Sequence, residues 1–354
     1  MSRFFSAKFA SLVPYTPGEQ PKERKYVKLN TNESPFPPSP RAIEYAKRAT
    51  ETLMLYSDPE VRDLIKAATE YFGVEKDEIL FTNGSDEILD FAFAAFCDRE
   101  HPAVFPDITY GFYPVFANLN GVPYEEIALK DDLTIDINDY IGVNKTVFIA
   151  NPNAPTGIAL TKEEIEKIVA SNPGSVVVID EAYVDFGAES VVPLIKKYDN
   201  LLVTQTFSKS RSLAGARLGM GFGCRGLIAD LNTIKYSTNP YNVNRVTENA
   251  GIGALLDDSY MKANCKKIIE NREYTVSELK KLGFILTDSK ANFIFAKHPK
   301  IGGKELYRAL KERGILIRHF EKERLYDYNR ITIGSKEQMD IFLSETKKIT
   351  EEKA

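Results

Sequence analysis

The sequence predicts an α/β protein whose larger part is a mostly parallel sheet flanked by helices and whose C-terminal part is a smaller α+β unit. Two observations predict the first part. The runs "AVFP" (103–106), "KTVFIANP" (145–152), "SVVVIDEAY" (175–183) and "LLVTQTFS" (201–208) are short and almost uninterruptedly apolar, the texture of strands buried on both faces. Helical stretches such as "TKEEIEKIVASN" alternate with them, and such alternation favours parallel pairing. A third observation predicts the second part: after residue 240 a long helical region gives way to short strands separated by helices.

The elements follow in order. The Pro-rich "NESPFPPSPRA" (32–42) forces extended or turn backbone and separates an N-terminal arm, 1–38, from the larger unit, 39–240. "RAIEYAKRATETLMLY" resumes a helical period, and a further helix is expected at about 59–72. In "GSDEILDFAFAAFC", Ser85 or Asp86 is expected to cap a helix whose apolar face carries Ile88, Leu89, Phe91, Ala92 and Ala95. Thr161, three residues before Glu164, makes a capping box. From 241 to 354 the pattern reads helix, "FILTDSKANFIFAKH", the helix "GKELYRALKERG", the strands "ILIRHF" and "NRITIG", and a terminal helix from Lys336.

Bulk properties narrow the function. The 354 residues are 43% apolar and 27% charged, enough for two units with substantial cores in a soluble globular chain. With 46 basic against 50 acidic residues and a net charge of -4, no global basic field favours nucleic acid or an anionic membrane. Small molecules or a second copy of the chain are the expected partners. Cys97, Cys224 and Cys265 are odd in number and far apart, so a reducing, cytoplasmic setting is expected without disulfides or zinc. His101, His298 and His319 are scattered without an HExxH, and no metal is expected. The N-terminal "MSRFFSAKFASLVPYTPGE" is interrupted by Lys8 and too short in its apolar run for a signal or span, so it reads as part of the fold.

In open α/β sheets ligands collect at the carboxyl ends of strands. That places Asp180, Glu181 and Tyr183, the turn "NPNAPTG", and Ser208 with Lys209 together. "TNGSDE" (82–87) adds backbone N–H groups and a hydroxyl at a helix start, a ready anion site. Singly, each has an ordinary reading as a cap, a turn or a surface lysine. Their order and spacing carry the information.

The ordered set "LNTNESPFPPSP", "YSDP", "NGSDE", "TYGFY", "NPNAPTG", "DEAY", "TFSKSRSLAGARLG" and "NRITIG" resembles the fold-type I pyridoxal-phosphate aminotransferases, and within them the histidinol-phosphate aminotransferases, over nearly the whole chain. The resemblance implies that Lys209 holds the aldehyde of pyridoxal 5'-phosphate and moves a proton at the substrate Cα. Asp180 keeps the pyridine nitrogen protonated, and Tyr183 hydrogen-bonds the ring's 3-hydroxyl. Ser85, Asp86, Thr206, Ser208 and Arg217 cradle the phosphate, and Tyr110 stacks on the ring. Tyr56 reaches the cofactor phosphate of a neighbouring subunit, which implies a homodimer. The family usually has Asn directly before "PTG"; this chain has Ala154 there and Asn153 one place earlier, so Asn153 is the candidate substitute, but a one-residue shift normally turns a side chain the other way, and Tyr183 is expected to make most of the 3-hydroxyl contact.

For substrates the resemblance implies Arg330 for an α-carboxylate, with Arg318 and Tyr15 for a substrate phosphate. The implied reaction is ping-pong transamination between L-histidinol phosphate and 2-oxoglutarate. An aromatic or broad-specificity aminotransferase, or a threonine-phosphate decarboxylase, would keep the cofactor residues and change the substrate shell, and a non-catalytic module of the same fold would lose the lysine. "GFGCRG" (221–226) fits GxGxxG but shows no clear following helix with an acid about twenty residues on, so a nicotinamide site is disfavoured.

Overall fold

The computed structural model describes residues 2–10 and 12–353. Seven strands form the main sheet in the spatial order Ile79–Thr82, Gly219–Phe222, Leu201–Thr206, Val177–Asp180, Thr146–Ala150, Ala103–Pro106 and Tyr124–Ile127. All share one direction except Gly219–Phe222, which runs antiparallel to both its neighbours. The four expected apolar runs are all strands of this sheet.

Burial on both faces explains the unbroken runs, because successive side chains point to opposite sides. Val177 and Ile179 enter a core under the helices Pro40–Ala49, Arg62–Phe72, Lys162–Ser171 and Arg245–Leu255. Val178 enters a second core under Ser85–Phe96, Tyr113–Asn120 and Arg225–Thr238. In that second core Phe93 stacks on Phe148 with ring centroids 4.0 Å apart. A third core joins the helices Asp258–Lys281, Gly303–Glu312 and Lys336–Lys353 to a four-stranded sheet. Leu29 and Tyr183 also belong to this third core. Val27–Lys28 pairs in parallel with Ile315–Leu316, which fixes the N-terminal segment against the C-terminal strands.

Several local expectations are refined. The helix expected at about 59–72 begins at Arg62, because Val61 is left-handed at φ 44° and Asp58 accepts from the Arg62 N–H at 3.2 Å. The helix expected through 41–56 ends at Ala49 and passes through a short 3-10 turn, Thr50–Thr52, leaving Leu53 to Tyr56 exposed. The capping box at Thr161 and Glu164 is present. Three strands carry no clear sequence signal: Ile79–Thr82, the exposed edge Tyr124–Ile127 and the glycine-rich Gly219–Phe222.

The glycines of that last strand have a steric cause. A Cβ on Gly221 would meet Ile88 at 3.2 Å, and one on Gly219 would sit 2.2 Å from the Ser85 nitrogen. The helix Ser85–Phe96 can rest against this strand only because side chains are missing there. A helix, Arg225–Thr238, does follow "GFGCRG". Yet the strand is antiparallel, so its turn lies at the sheet edge away from the ends of Leu201–Thr206 and Val177–Asp180. No helix among the described residues is long and apolar enough to cross a membrane.

Gly219→Ala should therefore destabilise the fold by about 1–3 kcal/mol, since the clash is with backbone atoms that cannot rotate away. A urea midpoint equal to wild type would contradict the close approach.

Candidate active site

Because six strands point one way, the loops after Thr82, Pro106, Ala150, Asp180 and Thr206 converge at one edge of the sheet. Gly219 pairs with Thr206, so the antiparallel strand starts at that same edge with Arg217 just before it. These segments enclose a cavity of about 520 Å³ lined by Ser85, Asp86, Tyr110, Ala150, Ala154, Asp180, Ala182, Tyr183, Thr206, Ser208, Lys209 and Arg217. Nine of the fourteen residues singled out from the sequence are among them.

One end of the cavity is built for an anion. Gly84, not Ser85 or Asp86, is the N-cap of the helix Ser85–Phe96, with φ 81°. The two residues expected to cap it thus sit in the first turn beside N–H groups that have no intrahelical acceptor. Thr206 Oγ1 accepts from the Ser208 N–H at 3.1 Å and donates to Ser208 Oγ at 3.0 Å. Arg217 donates to Asp86 Oδ2 at 2.9 Å and to Ser208 Oγ at 3.4 Å. Its guanidinium lies over Gly84, where a Cβ would come within 2.6 Å of Nη2. Arg217 reaches this position from a left-handed backbone, φ 56°, which costs a non-glycine residue free energy. Tyr110 donates to Asp86 Oδ1 at 2.7 Å. The Asp86 carboxylate thus orients a guanidinium and a phenol, and its contribution to an anion comes from its backbone N–H.

The same cavity holds a buried carboxylate. Asp180 accepts from the Ala182 N–H and from Thr204 Oγ1, each at 3.2 Å, and from Tyr113 Oη at 3.5 Å. No cation pairs with it among the described residues. Desolvation, reinforced by the charge of Asp86, pushes its carboxyl up to about 6. Glu181, one residue on, serves the fold instead: it accepts from Ser190 Oγ at 2.7 Å, the Val191 N–H at 2.6 Å and Gln205 Nε2 at 2.8 Å.

Lys209 Nζ lies 5.8 Å from the centre of the Tyr183 ring and forms no ion pair among the described residues. Tyr183 is edge-on to Phe293, 5.0 Å between centroids, and its hydroxyl accepts from Asn32 Nδ2 at 3.0 Å. Asn153 does not face the cavity. Its Oδ1 accepts from Thr109 Oγ1 at 2.8 Å, and its Nδ2 donates to the Ile108 carbonyl at 2.9 Å and to Thr156 Oγ1 at 3.2 Å. Ala154 lines the wall in its place. Asn153 is thus turned away from the cavity, as the one-residue shift implies.

Three more of the predicted residues stand beside the cavity. Arg318 and Arg330 are directly opposed on antiparallel strands, an arrangement of like charges that an anion would relieve. Arg330 donates to the Asn30 carbonyl at 3.0 Å, its Nε is buried without a partner, and burial lowers its pKa. Arg318 donates to the Thr16 and Pro17 carbonyls at 3.2 and 3.3 Å. Tyr15 stacks on Phe112 at 4.1 Å, next to Tyr110. Tyr56 is elsewhere: it is 79% exposed and stacks on Tyr241 at 4.7 Å.

The residues present fit pyridoxal 5'-phosphate. The donor cradle matches a dianion, the uncompensated Asp180 carboxylate matches a protonated ring nitrogen, and Lys209 supplies an amine in the same cavity. The model of the family "Aminotransferase class I and II" matches residues 24–345. This chain belongs to that aminotransferase family. The histidinol-phosphate aminotransferase of Brachyspira hyodysenteriae (strain ATCC 49526 / WA1) is 51% identical over 355 residues, covering 99% of this chain and 99% of its own. That of Clostridium botulinum (strain Okra / Type B1) is 45% identical over 350 residues, again covering 99% of each. Among solved structures, the histidinol-phosphate aminotransferase of Sinorhizobium meliloti in complex with pyridoxal-5'-phosphate superposes with a TM-score of 0.91, 24% identity and coverage of 100% and 99%. The aminotransferase fold is thus shared along the whole chain.

Reading the sequence missed Tyr113 and Thr204, which hold Asp180, and Asn32, which holds Tyr183. Tyr113 and Asn32 lie inside quoted motifs, but nothing in the sequence says which side chain of "TYGFY" or "LNTNES" turns inward.

The Asp180 environment makes a pH prediction for the cofactor-free protein. Its folded pKa of about 6 exceeds the ordinary 3.8, so the folded chain binds the proton more tightly. The carboxyl's contribution is fully present below the lower value and is lost as pH rises through about 6. Asp180→Asn should therefore stabilise the cofactor-free protein at pH 8 by on the order of 1–3 kcal/mol and have little effect at pH 4. Equal thermal shifts at both pH values would contradict the desolvated carboxylate.

Proposed function

We propose that this chain is a pyridoxal-5'-phosphate-dependent aminotransferase that interconverts L-histidinol phosphate and 2-oxoglutarate with 3-(imidazol-4-yl)-2-oxopropyl phosphate and L-glutamate. One observation carries the reading: the amine of Lys209, without an ion pair among the described residues, lines the same cavity as the Asp180 carboxylate and the Ser85–Arg217 anion cradle. The substrate assignment rests on the 51% identical relative, named for that substrate.

Lys209 Nζ would take the proton from the substrate Cα and, once protonated, give it back, so one group would serve as base and then as acid. Asp180 would hold a proton on the ring nitrogen of bound pyridoxal phosphate. Tyr183 would donate to its ring oxygen. Ser85, Thr206, Ser208 and Arg217, with the helix N-terminus, hold the phosphate and keep the ring in register with Lys209. Bound there, pyridoxal phosphate supplies the electron sink that makes the Cα proton removable. Arg330 takes the α-carboxylate of glutamate, and its buried, unpartnered Nε is where that second hydrogen bond would form. Arg318 and Tyr15 take the phosphate of histidinol phosphate.

The functional unit is a homodimer in which Tyr56 completes the partner's phosphate site. Support comes from the exposed run Leu53, Met54, Leu55 and Tyr56, joined by Tyr241, an apolar patch that favours association. Mixing Lys209→Ala and Tyr56→Ala subunits should restore part of the activity that each lacks, because one site of the mixed dimer is then intact. No recovery on mixing would argue that each protomer works alone.

Substrate discrimination is tested by transamination with L-histidinol phosphate against L-phenylalanine, and by carbon dioxide release from threonine phosphate. Turnover confined to histidinol phosphate with 2-oxoglutarate is expected; faster turnover of phenylalanine, or decarboxylation, would replace the substrate assignment. Arg318→Ala should lower kcat/KM for histidinol phosphate by roughly 10–100-fold, as for a lost charged hydrogen bond, with a smaller change for glutamate. Equal losses for both substrates would contradict the separate roles of the two arginines.

A further inference from the structure

Tyr183 is the only residue proposed to donate to the cofactor's ring oxygen, since the Ala154 side chain has no donor and that of Asn153 is bonded elsewhere. A phenol can donate its proton in more than one direction, so something must aim it. We propose that Asn32 is a positioning residue that fixes the direction of the Tyr183 hydroxyl proton toward the cofactor. This rests on the pyridoxal-phosphate reading above.

The orientation of the Asn32 amide follows from its network. Thr332 Oγ1 accepts from the Asn32 backbone N–H at 2.9 Å, so its own proton is free to be donated to Asn32 Oδ1 at 3.0 Å. With its oxygen committed to Thr332, the amide presents its NH₂ to Tyr183 Oη at 3.0 Å. The phenol oxygen is thereby occupied as an acceptor on that side, and its proton must point away, into the cavity that Tyr183 lines. Asn292 Nδ2 donates to the Asn32 carbonyl at 3.0 Å, which fixes the backbone as well. Asn32 is 1% exposed and left-handed at φ 56°, a conformation that Asn tolerates better than most residues.

The same short segment also touches the substrate side. Arg330 and Thr332 are two residues apart on one strand and so share a face. Arg330 donates to the Asn30 carbonyl and Thr332 to the Asn32 side chain. Residues 30–32 therefore join the proposed carboxylate arginine to the cofactor's phenol through two hydrogen bonds from one strand.

The test is the pH titration of the visible absorbance of the pyridoxal-phosphate-loaded protein. A donor to the ring oxygen favours the form in which that oxygen is negative, so losing it raises the titration midpoint. Asn32→Gly keeps the left-handed backbone without strain and removes the amide. It should raise the midpoint by about 0.5 to 1 pH unit, less than Tyr183→Phe, as for one hydrogen bond. In the Tyr183→Phe background the same change should add nothing, because its effect passes through the phenol. Thr332→Val should act in the same direction and Thr332→Ser should not, which keeps the proposal testable if Asn32→Gly folds poorly. An unchanged midpoint in both Asn32→Gly and Thr332→Val, or a shift that persists without the phenol, overturns the proposal. A wild-type protein with no visible band after adding cofactor would instead overturn the cofactor reading.

Discussion

The shared direction of six of the seven main-sheet strands is the constraint on which the site depends. Strands buried on both faces need helical crossovers to return the chain, so successive strand ends fall at the same edge. Five loops with unrelated sequences therefore meet at one place. The antiparallel Gly219–Phe222 completes the arrangement, because it begins where its neighbours end and delivers Arg217 to the cavity. Its glycines admit the helix whose N-terminus supplies the N–H donors. Sheet direction and one close backbone approach thus build the anion cradle before any ligand contact is considered.

The electrostatics of the cavity show why these groups are unlike those of a stable interior. Among the described residues Asp180 is buried without a counter-cation, Arg330 carries an unpaired buried Nε opposite Arg318, and Arg217 holds a left-handed backbone. Each of these opposes folding on its own. On the proposed reading, a protonated ring nitrogen beside Asp180, a carboxylate at Arg330 and a phosphate at Arg217 would offset these costs. Apolar strands and three cores supply the stability against which such a site can be held.

Much of this was legible in the residues, and the limits were physical. Val/Ile runs announced the buried strands because both faces must be apolar, and the strand-end rule then drew Asp180, Tyr183, Ser208 and Lys209 together. Gly219–Phe222 gave no strand signal, because its residues answer to the approach of a helix rather than to β-propensity. The exposed edge Tyr124–Ile127 lacked the apolar pattern altogether. Ser85 read as a cap from its type, yet Gly84 takes that position, at φ 81° and ψ 160°, a backbone region that side chains rarely adopt. Asn153 and Ala154 could be distinguished only by knowing which way each points. Asn32 was hidden most deeply: its importance lies in bonds to Thr332 and Tyr183, 300 and 151 residues away in the chain.

The central claim is that Lys209 is the amine that holds the cofactor, and locating the covalent attachment tests it most directly. The protein would be loaded with pyridoxal phosphate, reduced with borohydride, digested and examined by mass spectrometry. A phosphopyridoxyl group on the peptide containing Lys209, and on no other lysine in proportion to bound cofactor, is the expected result. Stoichiometric labelling of a different lysine, or none at Lys209 in protein that carries the cofactor, would contradict it.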